Sequence, residues 1–353
     1  MRSHRWHLEP SFNIEGTIVM SDIFKAAVVQ AAPVLFNTPK TMEKLDDLAR
    51  DAAGKGARLV VFPEAFVGGY PKGIDFGARL GMRSPEGRED FRRYYESAID
   101  IPGSTASRLG EIARDNGVHL VVGVIEKDGG TLYCTSLTYG SSGRLLGKHR
   151  KLMPTALERL VWGFGDGSTI AVADTLLGRI GSVICWENYM PQLRMAMYAQ
   201  GIELYCAPTV DDRDTWLPTM RTIALEGRCF VISACQYFTR ADAPHHYAPV
   251  QGDNPETVLI RGGSCIIDPL GTILVEPDFT GETIKLAEID RRVIARGKYD
   301  LDVVGHYSRP DVFRLSVDTR PKLAVAFEPQ SIGSSDLAPA IPFVTRGDVT
   351  CSD

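Results

Sequence analysis

Short apolar runs rich in β-branched residues alternate, along most of this chain, with longer stretches whose apolar residues recur at helical spacing. FKAAVVQAA at 24–32, RLVVF at 58–62 and HLVVGVI at 119–125 are the first three such runs. They are nearly continuous rather than alternating, so the strands they predict are covered on both faces. Between them, Thr38 to Gly54 places Met42, Leu45, Leu48 and Ala52 on one helical face. Polar helices are predicted over 85–98 and 104–116, the second closed by Gly117. Strands over 131–139 and 144–149 form a hairpin around Ser-Ser-Gly. The second half repeats the pattern, with strands predicted over 169–174, 178–184, 203–207, 229–234, 263–268, 272–276 and 282–289, and helices over 190–200, 214–227 and 290–298. No composition shift cuts this run. It reads as one α/β domain over 21–315, with two sheets packed face to face and helices outside.

The flanks read differently. Residues 1–20 carry charges and a proline but no continuous apolar run, so they read as a loose tail and not as a secretory signal. The end, 316–353, is rich in Ser, Pro, Ala and Gly and reads as a partly disordered extension. With 44% hydrophobic and 24% charged residues, the composition is that of a globular protein. A net charge of −5 offers no basic field for nucleic acid or anionic lipid. No apolar stretch reaches the length of a membrane span. Seven cysteines without a CxxC pair fit a reducing cytoplasm better than a disulfide framework. Cys229, Cys235 and His245-His246 match no zinc spacing, and no metal or cofactor is implied.

Chemistry concentrates where predicted strands end: FPEAFVGGYP at 62–71, KHRKLMPTALERLVWGFGDG at 148–167, ICWENYMP at 184–191 and CAPT at 206–209. Rigid sheets present functional groups at such places. Taken alone, Cys185 fits a buried core cysteine as well as a nucleophile. Glu158 alone reads as a solvated carboxylate. Trp162 and Trp186 suit an aromatic pocket or plain core equally. Tyr70, Asn188 and Thr209 are further candidates for a substrate pocket, and Glu187 suits a role in the turn after Cys185. GFGDGS lacks the spacing of a phosphate cradle and reads as a turn lining the site.

Together, these motifs resemble the nitrilases of the carbon–nitrogen hydrolase superfamily, from about Phe24 to Phe313, including GHYSRPD at 305–311. The resemblance implies a four-layer α-β-β-α sandwich and a catalytic triad of Glu64, Lys151 and Cys185, with Glu158 in support. It implies a small-molecule nitrile as substrate, converted to its carboxylic acid and ammonia, and a homo-oligomer built from dimers. The wording looks closest to plant-like and arylaliphatic bacterial members. An amidase, or a hydratase-type release of amide, is the alternative on the same triad. A thiolate is the soft nucleophile a nitrile carbon requires, and Glu64 as general base would generate it. A low-pKa thiol at Cys185 is then the expected mark that separates an enzyme from a noncatalytic scaffold on this fold.

Overall fold

The computed structural model describes residues 22–325, so the N-terminal stretch read as a tail and most of the C-terminal extension lie outside the described residues. The first half runs β1 Ile23–Gln30, α1 Thr38–Gly54, β2 Ala57–Val61, the two-residue strands β3 Ala78–Arg79 and β4 Met82–Arg83, α2 Pro85–Ser97, α3 Ser104–Asp115, β5 His119–Asp128, β6 Thr131–Tyr139 and β7 Leu145–Arg150. The second half runs β8 Val172–Thr175, β9 Gly178–Ser182, α4 Pro191–Ala199, β10 Leu204–Cys206, α5 Trp216–Gly227, β11 Phe230–Ser233, β12 Tyr237–Thr239, β13 Val258–Arg261, β14 Cys265–Ile267, β15 Ile273–Val275, β16 Thr283–Asp290 and α6 Arg292–Lys298.

Two six-stranded sheets carry the fold, in the orders β16-β1-β2-β5-β6-β7 and β15-β14-β11-β10-β9-β8. In the first, β1, β2 and β5 are parallel, and β16, β6 and β7 pair antiparallel at its flanks. In the second, β9, β10 and β11 are parallel. The runs are continuous because both strand faces are buried. Val28, Leu59 and Val121 of one sheet pack with Ile180, Leu204 and Ile232 of the other. Val29 and Val60 turn the opposite way, onto Leu45 of α1 and Leu109 of α3. Tyr205 and Val231 pack outward against Met197 of α4 and Met220 of α5. Helix, sheet, sheet, helix is the four-layer arrangement the motifs implied.

Local chemistry sets the boundaries. Asn37 caps α1 by accepting from Lys40 N at 3.1 Å, and Ser84 caps α2 by accepting from Gly87 N at 3.0 Å. The strand expected over 169–174 begins only at Val172, because Asp166 caps a 3₁₀ turn at Gly167–Thr169. The strand expected to reach Ile184 stops at Ser182, and Cys185–Tyr189 tightens into another 3₁₀ turn. The β3–β4 and β12–β13 hairpins are too short to show a period of two, and sequence reading missed both.

One glycine positions the site. A Cβ on Gly123 of β5 would lie 2.6 Å from the Glu64 Cα and 2.4 Å from the Pro63 carbonyl. The Glu64 turn therefore crosses this strand backbone to backbone, with Gly123 N donating to Pro63 O at 3.1 Å and Val67 N donating to Gly123 O at 3.1 Å.

Candidate active site

Three strand ends converge. Glu64 follows β2, Lys151 follows β7 directly, and Cys185 follows β9 in the opposing sheet. Ser136 and Ser182 join the two sheets beside them at 2.8 Å between hydroxyl oxygens. Backbone strain marks two of the three positions. Cys185 has φ 49° and Ala65, next to Glu64, has φ 50°, in the left-handed region that side chains rarely occupy. Each is held by its surroundings. Cys185 N donates to Pro208 O at 2.9 Å, and Gln236 Nε2 donates to the Glu64 carbonyl at 2.7 Å.

Lys151 is 1% exposed and its ammonium sits between two carboxylates. It donates to Glu64 Oε1 at 2.7 Å and to Glu158 Oε2 at 2.8 Å. Glu158 is fixed further by Tyr70 Oη at 2.8 Å and Thr155 N at 2.6 Å. It is therefore not the solvated carboxylate that its sequence position alone suggested. Burial disfavours a charged Lys151, but Glu64, Cys185 and Glu158 around it win, and its pKa moves well up. Glu64 is wholly buried. Burial raises its pKa, Lys151 pulls it back, and the net direction is upward. A raised carboxylate is a better base near neutrality.

The Cys185 thiol accepts from Thr209 Oγ1 at 3.2 Å. Burial pushes its pKa up, Glu64 adds to the rise, and Lys151 opposes it. The expectation of a low-pKa Cys185 is thus corrected. The direction favours the neutral thiol, because burial and the neighbouring Glu64 carboxylate both oppose a second negative charge there. Ionisation must accompany the transfer of its proton. The acceptor available is Glu64 Oε2, which is buried and has no hydrogen-bond partner among the described residues. The thiol is also close enough to lower the Glu64 pKa in the manner of a donor.

The remaining candidates separate. Thr209 contacts the nucleophile candidate. Tyr70 and Trp162 stack edge to face at 5.8 Å, and the Lys151 ammonium lies 5.4 Å above the Trp162 ring. Trp186 is partly exposed, with its indole N–H on Asp211 at 2.8 Å and the Arg213 guanidinium 4.7 Å over its ring. Asn188 is not a pocket residue. It is fully buried and its amide donates to the Val183 and Cys185 carbonyls at 3.0 and 2.7 Å, so it holds the turn from behind. Glu187 accepts from Ile184 N at 3.0 Å and Leu152 N at 2.5 Å, and it faces His149 Nε2 at 3.1 Å. It ties the cysteine turn to the lysine loop. The Gly163–Ser168 stretch lines neither part of the cavity; Gly165 N donates to Lys151 O at 2.8 Å and braces the lysine backbone.

Sequence reading missed Cys134, Lys72, Asp211 and Arg213. Cys134 reaches Glu64 at 3.5 Å, and the others line a cavity of about 190 Å³ that includes Cys185, Glu158, Tyr70 and Trp186. Tyr70, Lys72, Thr155 and Glu158 are shared with an adjoining space of about 310 Å³ walled by Ile74, Leu157, Trp162 and Val250. Val250 N donates to Gly73 O at 3.0 Å, and a Cβ on Gly73 would strike Gln251 and Pro249, so two excursions from the sheets close on each other over the site. A larger cavity, about 650 Å³, is lined instead by Met195, Val303, Tyr307 and Phe313 and does not touch these residues.

Comparison with known proteins places the chain in a family. The model of the carbon–nitrogen hydrolase family matches residues 25–299. A nitrilase of Bradyrhizobium diazoefficiens is 60% identical over 303 residues, which is 86% of this chain and 94% of that protein. A bifunctional nitrilase/nitrile hydratase of Lupinus angustifolius is 52% identical over 317 residues, 88% of this chain and 91% of that one. The crystal structure of a carbon–nitrogen hydrolase from Helicobacter pylori superposes with a TM-score of 0.64 at 21% identity, covering 82% of this chain and 96% of that one, and shows the same fold. The chain belongs to the carbon–nitrogen hydrolase family, in its nitrilase branch.

Proposed function

We propose that this protein hydrolyses an organic nitrile to its carboxylic acid and ammonia, with Cys185 as nucleophile, Glu64 as general base and Lys151 as electrostatic stabiliser. The observation that carries this reading is the Lys151 ammonium held between the Glu64 and Glu158 carboxylates, beside the buried Cys185 thiol and a Glu64 oxygen without a hydrogen-bond partner among the described residues. As the sulfur adds to the nitrile carbon, Glu64 takes the thiol proton and passes it to the nitrogen, giving a thioimidate. Lys151 faces the negative charge that develops at nitrogen and, after water adds, at oxygen. The backbone N–H of Trp186, next in the chain to the nucleophile, is assigned as a second donor. Ammonia leaves from the tetrahedral adduct, a thioester remains, and a second water releases the acid and restores the thiol.

Glu158 supports Lys151 in this scheme, and Tyr70 and Thr155 fix Glu158. The apolar wall of Ile74, Leu157, Trp162 and Val250 suits an apolar acyl group, aromatic or aliphatic. The test is acid and ammonia release from phenylacetonitrile, 3-phenylpropionitrile, benzonitrile, fumaronitrile, β-cyanoalanine and cyanide, beside the matching amides. Acid and ammonia from an organic nitrile, with slow turnover of amides, is the expected result. Turnover of amides alone would overturn it. A second reading, in which the tetrahedral adduct breaks its C–S bond first and releases amide, is favoured by the relative named as bifunctional. Amide accumulating from a nitrile would support it.

The same reading places the protein in the cytoplasm as a homo-oligomer. No helix among the described residues is long and apolar enough to cross a membrane. The groove lined by Met195, Ala199, Val303, Tyr307 and Phe313 leaves Tyr307 and Phe313 more than two-thirds exposed, at 70% and 78%, which supports self-association through this face. Light scattering is expected to give a mass of at least two chains, and a monomer at micromolar concentration would refute assembly.

A further inference from the structure

Glu64 meets two thiols, and the scheme above uses one. The other is Cys134, on β6, whose thiol donates to Glu64 Oε1 at 3.5 Å. That oxygen also accepts from the Lys151 ammonium at 2.7 Å. Oε2 has no partner among the described residues. The carboxylate is thus asymmetric, with both donors on one oxygen and the other oxygen free.

We propose that Cys134 is a positioning residue for the general base, which together with Lys151 occupies Oε1 and so presents Oε2 to the nucleophile. The inference rests on the assignment of Glu64 as base. Cys134 is placed for this by the same strand end that places the lysine, since its own carbonyl accepts from Lys151 N at 2.8 Å. One residue therefore touches both members of the ion pair, the ammonium's backbone through its carbonyl and the carboxylate through its thiol. Cys134 is 1% exposed, lines neither part of the cavity, and is packed among Leu132, Tyr94 and Trp162. It has no path to substrate and is not a second nucleophile. Burial first, and then the Glu64 charge, push its thiol pKa up, in the direction that keeps it a donor to the carboxylate.

Removing a donor from an ionised carboxylate raises its pKa, so the base form is reached only at higher pH. The test is a pair of variants of like size that differ in one donor, Cys134→Ala and Cys134→Ser. In Cys134→Ala the acid limb of the kcat/KM profile should move up by about half a unit to one unit, kcat should fall about threefold to tenfold, and KM should stay within about twofold. Cys134→Ser should lie closer to the wild type in all three. The pH dependence of Cys185 alkylation by iodoacetamide should shift in the same direction, and this readout needs no turnover. If melting curves show that the smaller pair does not fold, Cys134→Thr and Cys134→Val read the same difference with the space filled. Donor and non-donor variants with the same kcat and the same pH profile would overturn the proposal. Failure of the underlying assignment would look different, since Glu64→Gln would then retain activity whatever stands at position 134.

Discussion

Cys185→Ala should abolish nitrile hydrolysis while leaving a folded protein. The expected loss is at least about 10⁴-fold in kcat, the scale seen when one member of a catalytic unit is deleted. Stability should change by no more than about 1 kcal/mol, because the interactions the thiol gives up are weak sulfur contacts such as the one it accepts from the Thr209 hydroxyl. Alanine also keeps the side chain small at a φ of 49°, where a larger or branched residue would add strain. Melting temperature and residual acid release, measured on the same preparation, check both halves. Activity retained at a few per cent or more would remove Cys185 from the chemistry. Cys185→Ser should also be inactive, since a hydroxyl is harder to ionise than a thiol and Glu64 can lift only a limited proton affinity.

Lys151→Ala should lose activity on a comparable scale and, unlike Cys185→Ala, lose stability as well. It leaves Glu64 and Glu158 facing each other without the cation between them. Removing one partner of a buried ion pair costs about 3–5 kcal/mol, since the remaining charge is stranded. The sign with pH follows from the carboxylates. Without the ammonium, the Glu64 pKa rises further, because burial and Glu158 already push it upward. A carboxyl raised in the folded state favours folding when protonated, and that contribution is lost as pH rises through the folded value. The melting deficit of Lys151→Ala against the wild type should therefore be larger at about pH 8 than at about pH 5. A deficit independent of pH would show that Glu64 does not titrate in the way its surroundings require. Lys151→Met, with similar bulk, separates the loss of charge from the loss of packing.

Much of the fold was legible because its signals are local. The helix read over 38–54 is α1 Thr38–Gly54, fixed by an Asn cap ahead and glycine behind. The strands ahead of Glu64 and Cys185 were legible because parallel strands buried on both faces are built mostly from small and apolar residues, as in ARLVV of β2 and GRIGS of β9. What the sequence hid is long-range or three-dimensional. Tyr70 reaches Glu158 across 88 positions and Cys134 reaches Glu64 across 70, and no periodicity encodes either contact. Asn188 reads as a pocket residue because it is polar beside a cysteine, yet its amide is spent on two carbonyls of its own turn. The direction of the thiol's pKa was hidden for the same reason. Nearby charge can be read from motifs, but desolvation depends on what the opposing sheet brings down on the site, and at Cys185 desolvation is the larger effect.

The contact of Gly73 with Pro249 and Gln251 has a bearing on how such an enzyme changes over generations. The groups proposed to react stand on strand ends locked by backbone contacts, whereas part of the wall proposed for the acyl group, including Ile74 and Val250, comes from two excursions, 71–76 and 245–252, that meet across that contact. Substitutions at wall positions such as Ile74 and Val250 can therefore reshape the acceptor space without touching Glu64, Lys151 or Cys185. Heritable variation in substrate range is uncoupled from variation in reactivity. A laboratory library confined to these two segments should sample new nitriles at a far lower frequency of dead clones than one spread over the strand ends.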